Sequence, residues 1–201
     1  MESGFFALLA RGRYIRRWGL MRSTNEENIS EHSYMTALLA HALAVIRRDV
    51  FGREADPDRC AAVALFHDAS EIITGDLPTP VKYANPEILE AYKKIEGLAS
   101  GRLGALLPEE LRGAYEGVLG EGEGTVRELV KAADKLAAYI KCVEELEAGN
   151  TEFRSAAKQT RAALDALGLP EIDYFIKTFM PAFGMTLDEI TAMGEHKGED
   201  K

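Results

Sequence analysis

The sequence predicts an all-α protein, a helical bundle of about eight or nine helices. Three observations predict it. Apolar residues recur at helical spacing, and strand-like alternation is nearly absent. Capped, proline-led start signals stand at Asp56-Pro57 and Asn85-Pro86. The pairs Thr125/Glu128 and Thr186/Glu189 have the spacing of capping boxes.

In chain order, Ser3 caps a short helix through FFALLARG, and the polar, irregular stretch RWGLMRSTNEEN follows. Ser30 and Glu31 open SEHSYMTALLAHALAVIRR. Asp56-Pro57 starts a helix through DRCAAVALFHDASEII that stops at Gly75. GDLPTP is a loop, because prolines and a glycine forbid a continued helix. Asn85-Pro86 starts the long, exposed EILEAYKKIEGLASGRLGALL, and Pro108 begins EELRGAYEGVL. GEGEG is a flexible connection to the helix VRELVKAADKLAAYIKCVEELEAG. Thr151 caps the next helix, EIDYFIKTFM supplies one more, and Thr186 heads a last short turn before a tail, from about Gly194, that reads as frayed. Neither an internal repeat nor an interdomain linker interrupts the chain, so residues 1–201 read as a single domain.

Composition narrows the function classes. With 46% hydrophobic and 28% charged residues, the chain is globular rather than disordered. A net charge of -9 argues against a nucleic-acid polymer or an anionic membrane as partner, so a small anionic substrate would need a local basic pocket. Cys60 and Cys142 stand far apart and read as buried thiols of a reducing compartment. MESGFFALLARGR has too short an apolar run and the wrong flank for a signal peptide, so a cytoplasmic protein is expected.

The chemistry concentrates in FHDASEIITGD, where His67, Asp68, Glu71 and Asp76 follow the apolar run AAVALF. Charged groups beside a core face cost several kcal/mol each unless something pairs with them, and a metal ion is one such partner. Of the four histidines, His196 lies in the tail. His32 and His41 share a helix, but nine residues place them on opposite sides and roughly 13 Å apart, so at most one joins a site. His41 sits among alanines and leucines and reads as a hydrogen-bonded or partly exposed histidine; His32 stands at the helix start. Asp134 is a poor residue for a helix interior, bordered by Ala132, Ala133, Ala137 and Ala138, which let another helix or a ligand approach closely. A solvated acid paired with Lys131 or Lys135 is its alternative reading.

The order His32, His67-Asp68, Asp134 is the signature of HD-domain metal-dependent phosphohydrolases. The stretches IRRWGLMR, NISEHS, FHDASEIITGDLPTPVKY and KAADKLAAYIKCVEELEAGN closely resemble bacterial 5′-deoxynucleotidases of that superfamily, the YfbR-like group, from Phe5 to about Glu189. The resemblance implies an all-α HD fold, a homodimer, and hydrolysis of deoxyribonucleoside 5′-monophosphates by a metal-activated water, selective against ribonucleotides. It makes His32, His67, Asp68 and Asp134 the metal ligands, with Asp68 and Asp134 also at the substrate. Two imidazoles and two carboxylates suit one divalent ion, Co²⁺ or Mn²⁺ first, with Zn²⁺, Fe²⁺ or Cu²⁺ compatible.

Glu71 is the candidate for orienting or deprotonating the attacking water. Asp76-Leu77-Pro78-Thr79 resembles the family's substrate-contacting loop, with Asp76 either bonding a sugar hydroxyl or protonating the leaving oxygen. Arg11, Arg13, Arg16, Arg17 and Arg22 form a basic patch, and the resemblance assigns Arg17-Trp18 to the nucleotide pocket. An Arg fork suits a phosphate dianion, and a Trp ring beside the sugar can exclude a 2′-hydroxyl. GEGEG is shorter and richer in glycine than the resemblance leads one to expect, and Glu121 and Glu123 receive no role. The competing readings are an HD phosphohydrolase of other phosphoesters, a helical interaction module with a structural metal, and a metal-free scaffold.

Overall fold

The chain begins with a short helix α1 (Phe5–Leu9) continued by a 3-10 turn, Ala10–Tyr14. Gly4, not Ser3, is its N-cap, and the Ser3 hydroxyl donates to the Leu106 carbonyl at 2.7 Å. The structure is a computed structural model that describes residues 2–82, 84–120 and 122–195. Gly194 and Glu195, where a frayed tail was expected to begin, instead close a helix, Leu187–Glu195, while His196, the rest of that tail and Glu121 lie outside the described residues.

Helix α2 (Ile29–Val45) opens at Asn28, ahead of the expected Ser30. The Asn28 side chain accepts from the amides of Ser30 and Glu31 at 3.0 and 3.1 Å, and Glu31 Oε2 accepts from the Asn28 amide at 3.1 Å, a complete capping box. A π-helical turn, Ile46–Val50, extends α2. Helix α3 (Pro57–Phe66) starts as expected, with Asp56 accepting from the Arg59 amide at 2.9 Å.

The expected continuous helix through residue 73 does not form. It ends at Phe66, passes through a turn at 67–70, and resumes as α4 (Glu71–Thr74). Bonds from the amides of Ala69, Glu71 and Ile72 to carbonyls three residues back tighten the chain there, at 3.0, 2.9 and 3.3 Å. Gly75 then ends α4 at φ 77, which glycine alone adopts freely. Part of the expected GDLPTP loop is helical, since α5 spans Thr79–Lys82.

Next come α6 (Pro86–Ala105), capped by Asn85, α7 (Glu109–Glu116) and the long α8 (Gly124–Glu147). The Thr125/Glu128 capping box is not made; Glu123 occupies the cap position and Glu128 instead accepts from Arg47 at 2.5 Å. After a 3-10 turn headed by Asn150, where Thr151 was expected to cap, come α9 (Arg154–Asp165), α10 (Pro170–Thr178) and α11 (Leu187–Glu195). The Thr186/Glu189 box does form, with the Thr186 amide donating to Glu189 at 2.7 Å. Among the described residues there is no strand, only one antiparallel bridge between Arg16 and Asn28. The fold is all-α, as the sequence predicts.

At the centre α2 packs on α3 and α8, and α9 on α8. The shared core is rich in small residues: Ala40 and Ala44 from α2, Cys60 and Ala64 from α3, and Ala132, Ala133 and Ala137 from α8, interleaved with Leu39, Leu43, Val63, Leu136 and Ile140. Small side chains at these crossings bring the backbones close. The polar residues near the crossing, His32, the 67–70 turn and Asp134, are therefore delivered to one place.

Candidate metal centre

His32 projects from the first turn of α2 and is fully buried. Its Nε2 lies 3.1 Å from Asp134 Oδ1 on α8 and 3.5 Å from Asp68 Oδ2. His67 Nε2 lies 3.1 Å from the same Asp68 oxygen and 4.0 Å from the same Asp134 oxygen. Ligand atoms of His32, His67 and Asp68 all fall within 4.8 Å of one another, and Asp134 closes the fourth side. His41 is elsewhere, half-exposed with Nε2 3.8 Å from Asp58, in keeping with its expected exclusion.

The break after α3 sets the His67 ring. Its Nδ1 is 2.6 Å from the Ala64 carbonyl, an acceptor only, so Nδ1 carries a proton and Nε2 is the nitrogen left to face the carboxylates. That Nε2 is buried and makes no hydrogen bond. In the protein alone the ring takes up a second proton: burial works to lower its pKa, but the charges of Asp68 and Asp134 raise it to about 9. Burial likewise works to raise Asp68, and His67 and His32 beside it bring it down to about 2. Asp134 is held below the usual carboxylate range against its burial, chiefly by the hydrogen bond and charge of His32. Two carboxylates that stay ionised and imidazole nitrogens directed at them form a donor set for a divalent cation, which would take the place of the extra proton. The residues fit such an ion.

Arg17 and Glu71 border the cluster. Arg17 Nη1 is 3.3 Å from Asp68 Oδ2 and its Nε is 3.4 Å from Glu27. The other arginines of the expected basic patch are engaged elsewhere: Arg16 with Glu26 at 2.8 Å, Arg22 with Glu152 at 2.6 Å, Arg13 with the Ala10 carbonyl at 2.8 Å and Arg11 over the Tyr14 ring at 5.9 Å. Glu71 is buried, and its Oε2 has no hydrogen-bond partner. Burial first, then the charges of Asp68 and Asp76, push its carboxyl up to about 9, opposed by Arg17 and Lys82. Asp76 is raised as well, by burial and by Asp68, with Arg17 opposing. Leu77 and Pro78 are half-buried, and Thr79 is exposed at the start of α5.

Trp18 is half-buried at φ 58, a left-handed conformation that a bulky side chain adopts at a cost of about 1–3 kcal/mol. Its indole N–H donates to Glu27 Oε2 at 2.7 Å, and its ring lies 5.3 Å from that of Phe153. Two residues to which the sequence reading gives no role border the site. Glu27 faces Arg17, Trp18 and His32 together. Lys82 lies 2.8 Å from Glu96, with its charge acting on Glu71. The sequence hint for Glu27 is its position just before the α2 cap, and for Lys82 its place at the end of the FHDASEIITGDLPTPVKY stretch.

This helical frame, with His, His-Asp and Asp brought in from three segments, defines an HD-domain phosphohydrolase fold. A crystal structure of an HD-domain phosphohydrolase from Listeria innocua matches with a TM-score of 0.77 at 23% identity, covering 96% of this chain and 98% of that one. A cyanophage S-2L HD phosphohydrolase, DatZ, bound to dA and one catalytic Zn²⁺ ion, matches with a TM-score of 0.54 at 24% identity, covering 86% of this chain and 96% of that one. Within that fold, residues 4–183 match the model of the 5′-deoxynucleotidase YfbR-like family. A 5′-deoxynucleotidase of Vibrio cholerae is 52% identical over 192 residues, 94% of this chain and 99% of its own length. The chain belongs to the YfbR-like family, and it is a hydrolase.

The Glu71 carboxyl makes a signed prediction. Its ordinary pKa is 4.5 and its folded value about 9, so between the two the folded protein holds a proton that the unfolded chain has released. Stability should therefore fall as pH rises through that window. Glu71→Gln abolishes this dependence. Thermal melts of metal-stripped proteins should show the variant gaining on wild type steadily from pH 5 to pH 8; a constant difference would contradict the assignment.

Proposed function

We propose that the protein is a metal-dependent 5′-deoxynucleotidase that converts deoxyribonucleoside 5′-monophosphates to deoxyribonucleoside and phosphate and rejects ribonucleotides. The observation that carries the reading is the convergence of His32, His67, Asp68 and Asp134 beside Arg17, in a chain of this family. These four residues would hold one divalent ion, Co²⁺ or Mn²⁺ first among the candidates. Such an ion supplies Lewis-acid polarisation of the phosphoryl oxygens and a water of lowered pKa.

The chain's own residues do the rest. Arg17 presents its guanidinium to the phosphate, aligned by Asp68 and Glu27. Asp68 and Asp134 border the phosphate as well as serving as ligands. Glu71 orients the attacking water and takes its proton; positive charge at the ligand cluster draws its raised pKa back toward the range where a carboxylate accepts one. Asp76, with Leu77, Pro78 and Thr79, walls the sugar, and Asp76 either bonds a hydroxyl or protonates the leaving 5′-oxygen. Trp18 closes the sugar's 2′ side, where a hydroxyl would meet the ring without a partner. We read residues 1–201 as one HD domain acting in the cytoplasm on a small nucleotide, with neither nucleic-acid polymer nor membrane as partner. Among the described residues no helix is long and apolar enough to cross a membrane.

Metal-stripped protein given Co²⁺, Mn²⁺, Mg²⁺ or Zn²⁺ in turn should release phosphate from deoxyribonucleoside 5′-monophosphates. Ribonucleotides, 3′-monophosphates and deoxynucleoside triphosphates should stay nearly intact. Release from the triphosphates, or from no substrate despite bound metal, would sink the proposal. Glu71→Gln should keep stoichiometric metal and lose about 10²–10⁴-fold in turnover. Trp18→Ala should narrow the deoxy-to-ribo preference, and an unchanged ratio would refute the steric role. The family resemblance further supports a homodimer, for which sedimentation should return twice the mass of one chain.

A further inference from the structure

Glu27 is the last residue before the α2 cap, and the interactions of three neighbouring groups meet on its carboxylate. Oε2 accepts the Trp18 indole N–H at 2.7 Å and lies 3.4 Å from Arg17 Nε. Oε1 faces Nδ1 of His32 at 3.9 Å, a buried nitrogen that has no hydrogen-bond partner. The main chain ties the same places together, since the Arg17 amide donates to the Glu27 carbonyl at 2.9 Å and Arg16 pairs with Asn28. Behind it, Glu145 accepts from the amides of Thr24 and Asn25 at 2.8 and 3.1 Å and from Lys141 at 2.5 Å, so the loop leading to Glu27 is pinned to α8.

The geometry has a chemical consequence. A histidine that offers Nε2 to an ion keeps its proton on Nδ1, and a carboxylate facing that N–H fixes the ring plane and raises its basicity. The carboxylate nearest His32 Nδ1, at 3.9 Å, is also the one that accepts the indole N–H of Trp18 at 2.7 Å. We infer that Glu27 is a positioning residue that ties the indole of Trp18 to the metal ligand His32, so that one carboxylate sets both how tightly the ion is held and where the sugar-facing ring stands. This rests on the roles proposed above for His32 and Trp18, and it extends them to a residue that touches neither ion nor substrate.

Trp18 is the only tryptophan in the chain, so a ¹H–¹⁵N spectrum of the full protein carries one indole cross-peak that reports on this bond alone. Zn²⁺, which has a closed shell and broadens nothing, is the probe. Titration should move the indole peak of the wild type. Glu27→Gln keeps the side-chain shape and an acceptor for the indole but loses the charge. It should bind Zn²⁺ about tenfold or more weakly, and the movement of its indole peak should be lost. Wild-type Zn²⁺ affinity in Glu27→Gln, or an undiminished peak movement, would overturn the inference. His32→Ala separates the two levels. If it binds Zn²⁺ as the wild type does, the metal-centre reading falls and takes this inference with it. If it loses Zn²⁺ while Glu27→Gln matches the wild type, only the role of Glu27 falls. Should Glu27→Gln fail to fold, the wild type decides: an indole peak that stays put while His32-dependent Zn²⁺ binding runs to completion refutes the coupling.

Discussion

The site depends on one hydrogen bond, from His67 Nδ1 to the carbonyl of Ala64 at 2.6 Å. It occupies a carbonyl of the last turn of α3, just where the regular ladder stops, and so helps to end the helix at Phe66. The same bond selects the His67 tautomer and turns Nε2 toward the carboxylates. Tightened by bonds to carbonyls three residues back, the turn at 67–70 holds His67 Nε2 and Asp68 Oδ2 3.1 Å apart.

Packing makes the turn effective. The alanines of α2, α3 and α8 put small side chains at the helix crossings, so that an Asp on α8 reaches a His on α2 at 3.1 Å. The same packing buries His32 fully and leaves the Asp68 side chain 18% and the Asp134 side chain 39% exposed, so a charge on the buried side is the more costly to leave unpaired. Core composition and site electrostatics are thus one constraint.

Much of this was legible in sequence, and the particular failures show why the rest was not. His32, His67-Asp68 and Asp134 stand out because ionisable residues among apolar ones carry a large desolvation penalty, which marks them whatever the fold. The all-α class followed from start signals and periodicity, both local properties. The break at His67 was not legible, because it rests on a side chain capturing a backbone carbonyl, and AAVALFHDASEII contains neither glycine nor proline to announce it. The Thr125/Glu128 box failed for a tertiary reason: Arg47, brought in from the end of α2, claims Glu128 at 2.5 Å. Asn28 was passed over in favour of Ser30, which is an equally good cap, and only the path of the preceding loop decides between them. Glu27 had no local signature because its partners lie on both sides of a loop whose closure the sequence does not encode by any motif.

The charge balance explains why so acidic a chain suits an anionic substrate. Around the cluster stand Glu27, Asp68, Glu71, Asp76 and Asp134, against the permanent cations Arg17 and Lys82. Left to itself the protein meets the excess by protonation, keeping Glu71 neutral and His67 charged. In the reading proposed above, a dication held by His32, His67, Asp68 and Asp134 would displace those protons and favour a phosphate, beside an Arg17 that lies between Glu27 and Asp68. Selectivity between phosphate carriers then falls to groups beyond the charges. Of those, Trp18 alone combines a large apolar face with a backbone conformation that must be held against its own preference. In the role proposed for it, Trp18 would discriminate only while its ring is held, and its indole N–H ends on the same carboxylate that faces His32.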